Sequence, residues 1–147
     1  MSEIDLDELA RRLSRSLTPQ LSAASQAIGA EIVNVLAPYP AAPPRRPGAR
    51  RWYERGYGWR YAGGGGKATS EQMNRRWDVQ PQTLGATVVN LASYSGRVQG
   101  AAQQEPLFKR IGWKTDGQAV TEIDRKGVIV REVEDAIRRT FRGLVTT

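Results

Sequence analysis

The sequence predicts an α+β fold: a small antiparallel sheet packed by an N-terminal helix pair and a long C-terminal helix, with a long extended arm between the helix pair and the sheet. Three observations predict it. Apolar residues recur at three- and four-residue steps toward both ends of the chain, the spacing of one helix face. Between them TLGATVVNLA, at 83–92, is rich in β-branched residues and suits a strand. The stretch 38–67 has neither period. It holds five of the eight prolines and six of the eleven aromatic residues.

In the helical region 4–36, Ile4, Leu6, Leu9, Ala10, Leu13 and Leu17 line one side. Asp7 with Arg11 and Glu8 with Arg12 are i,i+4 pairs in the favourable order, and acids in the first turn suit the helix dipole. These acids read as helix support, not as catalytic groups. Thr18 followed by Pro19 is the pattern of an N-cap and a first helical residue. A second helix is therefore expected from Pro19 to Leu36, with Leu21, Ala24, Ile28, Ile32 and Val35 on its face. One long kinked helix is the alternative. Pro38 and Pro40 end it either way.

The arm, 38–67, is PYPAAPPRRPGARRWYERGYGWRYAGGGGK. It carries seven bases against one acid, +6 of the chain's +7, so the rest is nearly neutral. Residues 38–47 favour polyproline II, 51–61 suit a hairpin tip, and Gly63–Gly66 suit a flexible return. Structureless loops of this length are uncommon in compact domains unless they are functional or disordered.

Strands are expected in 70–92. Met73, Arg75, Trp77 and Val79 alternate with Asn74, Arg76 and Asp78, Pro81 turns the chain, and Trp77 reads as a packing residue. Residues 93–115 show little periodicity. Thr115 or Asp116 then caps a helix over 116–144 whose face is Val120, Ile123, Val130, Val133, Ile137, Phe141 and Leu144. Gly127 is its weak point, costing about 1 kcal/mol against Ala.

The chemistry is bounded by what is missing. In 147 residues there is no Cys and no His, so thiolate chemistry and the commonest general base and metal ligand are absent. GGGGKAT at 63–69 is not a phosphate loop, because Tyr61 and Ala68 stand where Gly and Ser or Thr are required. No carboxylate dyad stands apart from helical ion pairing. No enzyme activity, cofactor or metal is expected. No apolar run approaches the roughly 18 residues of a membrane span. The acidic, amphipathic start MSEIDLDEL is unlike a secretory signal.

Residues expected to touch a partner are Tyr39, Arg45, Arg46, Arg50, Arg51, Trp52, Tyr53, Arg55, Tyr57, Trp59, Arg60 and Tyr61 of the arm. Tyr94, Arg97, Gln99, Trp113 and Lys114 form a second group. Three readings of the arm stay open. Arg and aromatic rings suit nucleic-acid phosphates and bases. Tyr, Trp and Arg are also the types enriched at protein hot spots, and proline stiffness lowers the ordering cost. The third reading is a solvated loop, against which six aromatics argue.

Several stretches, in order, resemble a known group: LDELARRL, an Ala-rich helix closing on LAPYP, the Pro/Arg segment and RRWYERGYGWRY, then YSGRVQG at 94–100 and GWKT at 112–115. Together they are similar to the tail-completion or head–tail joining (neck) proteins of long-tailed bacteriophages. The resemblance implies helices against a small antiparallel sheet and a ring of subunits, often six. It implies a place in the virion between the portal or head-closure proteins and the tail-tube or terminator proteins, after synthesis in the host cytoplasm. Double-stranded DNA passes through such a ring, and no cofactor or catalysis is implied. A tail terminator, a minor capsid protein and a stand-alone basic nucleic-acid-binding module are the alternatives.

Overall fold

The computed structural model describes residues 6–38, 40 and 73–145. Of these, 68% are helical, and a two-stranded antiparallel sheet packs against the first and last helices, an α+β architecture. The elements are α1 (Leu6–Leu36), β1 (Trp77–Pro81), β2 (Ala86–Asn90), α2 (Ser95–Gln99), α3 (Pro106–Ile111), α4 (Asp116–Arg125) and α5 (Val128–Val145). Two compact units divide the described residues: 6–31, 79–87 and 123–145 in the first, and 32–38, 40, 73–78 and 88–122 in the second.

The expected helix pair is a single helix. α1 runs 31 residues with Pro19 inside it, about 46 Å at 1.5 Å per residue. An interior proline costs about 3 kcal/mol. The Thr18 hydroxyl, read as an N-cap, instead donates to the Ser14 carbonyl one turn back at 2.9 Å. This is the bond a threonine makes inside a helix. The local punctuation loses to the packing of the Ala-rich second half, where Ala24 and Gly29 are buried and Leu21, Ile28, Ile32 and Val35 are partly buried. The stripe expected at the start is covered only toward its C-terminal end: Leu6, Leu9 and Ala10 are exposed, while Leu13 and Leu17 are partly buried.

In the first unit the tip of the hairpin is tied to α1. Gln82 N–H donates to the Gly85 carbonyl at 2.8 Å, closing the loop at Thr83 and Leu84. Ser22 Oγ donates to the Gln82 carbonyl at 3.0 Å. The strands are shorter than the β-rich stretches that predicted them. Met73–Arg75 is a turn of 3-10 helix, not part of a strand.

The expected C-terminal helix over 116–144 is two helices. Gly127 adopts a left-handed φ of 68° and ends α4, its N–H bonded to the Asp124 carbonyl at 2.8 Å. Glycine enters that region without a Cβ penalty. The break resets the helical phase, so the buried face is also different. In the first unit Ile123 of the expected face is buried and Val133 and Leu144 are partly buried, but Val130, Ile137 and Phe141 of that face are exposed, while Val128, Ala136 and Thr140, outside it, are buried. Periodicity detects a broad apolar arc but not which edge of it packs. Small residues at 136 and 140 permit the close approach that decides it.

The second unit holds the stretch expected to be irregular, 93–115, and it contains α2 and α3. Its core is Met73, Ala92, Val98 and Trp113, with Tyr94, Phe108 and Ile111 packed against it. α3 ends on Gly112, at φ 97°, whose N–H reaches the Phe108 and Lys109 carbonyls. The next amide, Trp113 N–H, also bonds the Phe108 carbonyl at 3.1 Å. That is a Schellman-type ending, and it turns the chain so that the indole of Trp113 enters the core. Thr115 then opens α4 with a reciprocal capping box. Gln118 N–H donates to Thr115 Oγ1 at 3.2 Å, and Thr115 N–H donates to Gln118 Oε1 at 2.9 Å. Thr115, not Asp116, is therefore the cap. Asp116 accepts from the Ala101 and Gly117 amides.

α2 depends on Gly100. A Cβ there would sit 2.7 Å from the Gly96 carbonyl oxygen, a backbone atom that cannot swing aside. Gly100→Ala is expected to lower the unfolding free energy by about 1–3 kcal/mol, as overpacking does. At Gly96 the nearest atom, also at 2.7 Å, is the end of the flexible Gln103 side chain, so Gly96→Ala should cost less. Urea denaturation of both variants, followed by circular dichroism, checks the order.

Candidate partner-contact surface

The arm is held at both ends by the second unit. On the N-terminal side Leu36, the last residue of α1, is buried, and its carbonyl accepts from Gln99 Nε2 at 2.8 Å. A Cβ at Gly112 would lie 3.7 Å from the ring of Pro40. On the C-terminal side Met73 is buried in the core. Its carbonyl accepts from Asn90 Nδ2 at 2.8 Å and from Arg76 N–H at 3.1 Å. Asn90 Oδ1 accepts from Ala92 N–H, so one amide side chain joins the end of β2 to the return of the arm. The residues between, 41–72, lie outside the described set, as does Tyr39. The expectations for Tyr39, Arg45, Arg46, Arg50, Arg51, Trp52, Tyr53, Arg55, Tyr57, Trp59, Arg60 and Tyr61 fall there, and so do those for the hairpin tip and the glycine return.

The second group of contact candidates separates into interior and surface. Trp113 and Gln99 are interior, 7% and 3% exposed. Gln99 uses one amide hydrogen on Leu36, and its Oε1 is buried without a hydrogen-bond partner. Tyr94 is half-buried against the core. Arg97 and Lys114 are the two that face solvent. Arg97 is 4.0 Å from Glu105, with most of its side chain exposed, and Lys114 Nζ donates to Glu122 Oε2. Exposed pairs of this kind hold their partners by about 1 kcal/mol or less, so both cations can be re-paired by a docking acid. Lys109, Arg110 and Leu107 on α3 add exposed charge and an exposed apolar side chain to the same unit.

Compared with family models, curated proteins and solved structures, this chain matches none. Any functional reading therefore rests on the residues themselves.

The sequence did not single out Asn90, and it offered Gln104 only as one polar residue of the 93–115 stretch, with no role. Gln104 Nε2 donates to the Val98 carbonyl at 2.8 Å and the Trp113 carbonyl at 2.9 Å, holding α2 to the chain leaving α3. A side-chain amide bonding carbonyls in a non-periodic segment leaves no pattern in the sequence. Gly112 before Trp113, and Pro106 at the start of α3, are local signals that this stretch is built and not loose. Among the described residues no three His, Cys, Asp or Glu side chains converge as a metal cage requires. No helix among them is long and apolar enough to cross a membrane.

Proposed function

We propose that this chain is a structural virion protein of a tailed bacteriophage, forming a ring at the neck that completes the tail and joins it to the head. The observation that carries the proposal is the arm: +6 net charge and six aromatic rings on a segment outside any periodic element. Its two ends are hydrogen-bonded into the core of the second unit at Leu36 and Met73. A fixed base suits a segment that reaches something outside its own subunit. The order of LAPYP, the Pro/Arg segment, YSGRVQG and GWKT supports the neck family in particular.

In this reading the subunit works by contact and not by catalysis. Copies of the chain, six on the family pattern, form the ring. The arm from Tyr39 to Tyr61 grips a neighbouring subunit, a portal-side or head-closure protein, or the tail-tube or terminator side. The test is a phage whose copy lacks residues 43–62. A folded subunit that no longer supports tail attachment upholds the proposal, and normal virion yield removes it.

The local charge favours one second reading, a nucleic-acid-binding module in which Arg45, Arg46, Arg50, Arg51 and Arg55 grip phosphates. Six neutralised phosphates give a slope of log affinity against log salt of about −5. Titration of the full chain with duplex DNA at several salt concentrations decides it. No binding, or binding that ignores salt, eliminates this reading.

A further inference from the structure

We infer that the exposed face of α5 is a self-association surface, covered in solution by the same face of a second copy lying antiparallel to it. Val130, Ile137 and Phe141 are 57%, 40% and 55% exposed. At 100° per residue these three positions fall within about 20° of one line along the helix, a stripe about 16 Å long. Ala136 and Thr140, which are buried, occupy a different face. The helix therefore packs on its own unit with one side and presents a second apolar side to solvent. Beside the stripe lie Glu134 and Arg138, paired with each other at 3.6 Å, their side chains 58% and 68% exposed.

The charge pattern selects the occupant. A two-fold axis near residue 136 sets Val130 against the partner's Phe141 and Ile137 against the partner's Ile137. On the same flank it brings Glu134 opposite the partner's Arg138. Because such an interface is isologous, the Val130–Phe141 and Glu134–Arg138 contacts each occur twice, while Ile137 meets its own copy once, near the axis. A copy of this chain thus satisfies both the apolar layers and the flanking charges with no further requirement. Three apolar side chains per copy bury less than a stable complex needs, so the pair is weak and forms at high concentration. The inference does not rest on the neck reading. An isologous contact closes with two copies, whereas a ring needs a heterologous one, so this face is separate from the ring joint.

Sedimentation of the full chain from about 10 μM to about 1 mM, the range in which so small a contact is populated, tests it. A monomer–dimer equilibrium is expected. Glu134→Arg places like charges opposite each other twice and should weaken the dimer about tenfold. The double variant Glu134→Arg with Arg138→Glu restores the pairing and should return the affinity to within about threefold of the parent. Circular dichroism melts establish that these surface variants fold. The chain has no cysteine, so Ile137→Cys supplies an independent measurement. Its oxidation to a disulfide-linked dimer should run about tenfold faster than that of Asp124→Cys, an exposed position off the stripe. A monomer throughout the range would overturn the inference. So would a double variant no tighter than the single one, or equal cross-linking rates at 137 and 124.

Discussion

Trp113→Ala is expected to lower the unfolding free energy by about 3–5 kcal/mol, the cost of deleting a buried aromatic side chain and leaving a cavity. Trp113 is 7% exposed and packs in a cluster of buried residues drawn from four segments of the second unit, with Met73, Ala92 and Val98. Its backbone is also engaged: the N–H bonds Phe108 and the carbonyl accepts from Gln104. Small domains hold only about 5–15 kcal/mol in total, so the loss is a large share. Trp113→Phe keeps most of the apolar volume and should cost roughly half as much. Chemical denaturation followed by circular dichroism measures both, since fluorescence would change with the removed indole. A loss under about 1 kcal/mol would show that this cluster is not the core. Because Met73 sits in it, Trp113→Ala should also speed proteolytic cleavage where the arm returns.

Deleting residues 43–62 is expected to leave a folded subunit that cannot attach tails. The folding half follows from the roots. Both ends of the arm belong to the second unit, and neither Leu36 nor Met73 is touched by the deletion. The residues left between Pro40 and Met73 still reach about 40 Å when extended. A unit of this size is about 25 Å across, so the shortened link closes without strain. The functional half follows from what is removed: five of the six arm aromatics and all six arginines of the arm. The Tyr, Trp and Arg side chains that dominate protein interfaces go with them. Helical circular dichroism and a cooperative melt should persist in the purified subunit, while electron micrographs of the mutant lysate should show heads and tails apart. Tailed particles at normal yield would remove the arm from the joining role.

Legibility in the sequence varied by element and for physical reasons. The helical ends and the β-rich block between them predicted the α+β class because periodicity and β-branching are local properties. The break at Gly127 was visible as a weak point, since glycine alone enters a left-handed φ at no steric cost. Thr18-Pro19 misled. A cap and a helix interior are distinguished by which carbonyl or amide the threonine meets, and the neighbouring turns decided that here. The stretch 93–115 was opaque because its order comes from side-chain amides bonding carbonyls, Gln99 to the distant Leu36 and Gln104 to Val98 and Trp113, which no spacing rule anticipates.

By itself the sequence determined the composition of the arm, the missing His and Cys chemistry, and the kinds of element on either side. Those depend on residue type and near neighbours alone. Only the tertiary structure decided that α1 is continuous, that Trp113 and Gln99 belong to the interior, and that α5 turns Ala136 and Thr140 inward and leaves Val130, Ile137 and Phe141 outside. Burial is a property of what lies across a contact, and a chain read one residue after another does not say which of its apolar edges will find a neighbour.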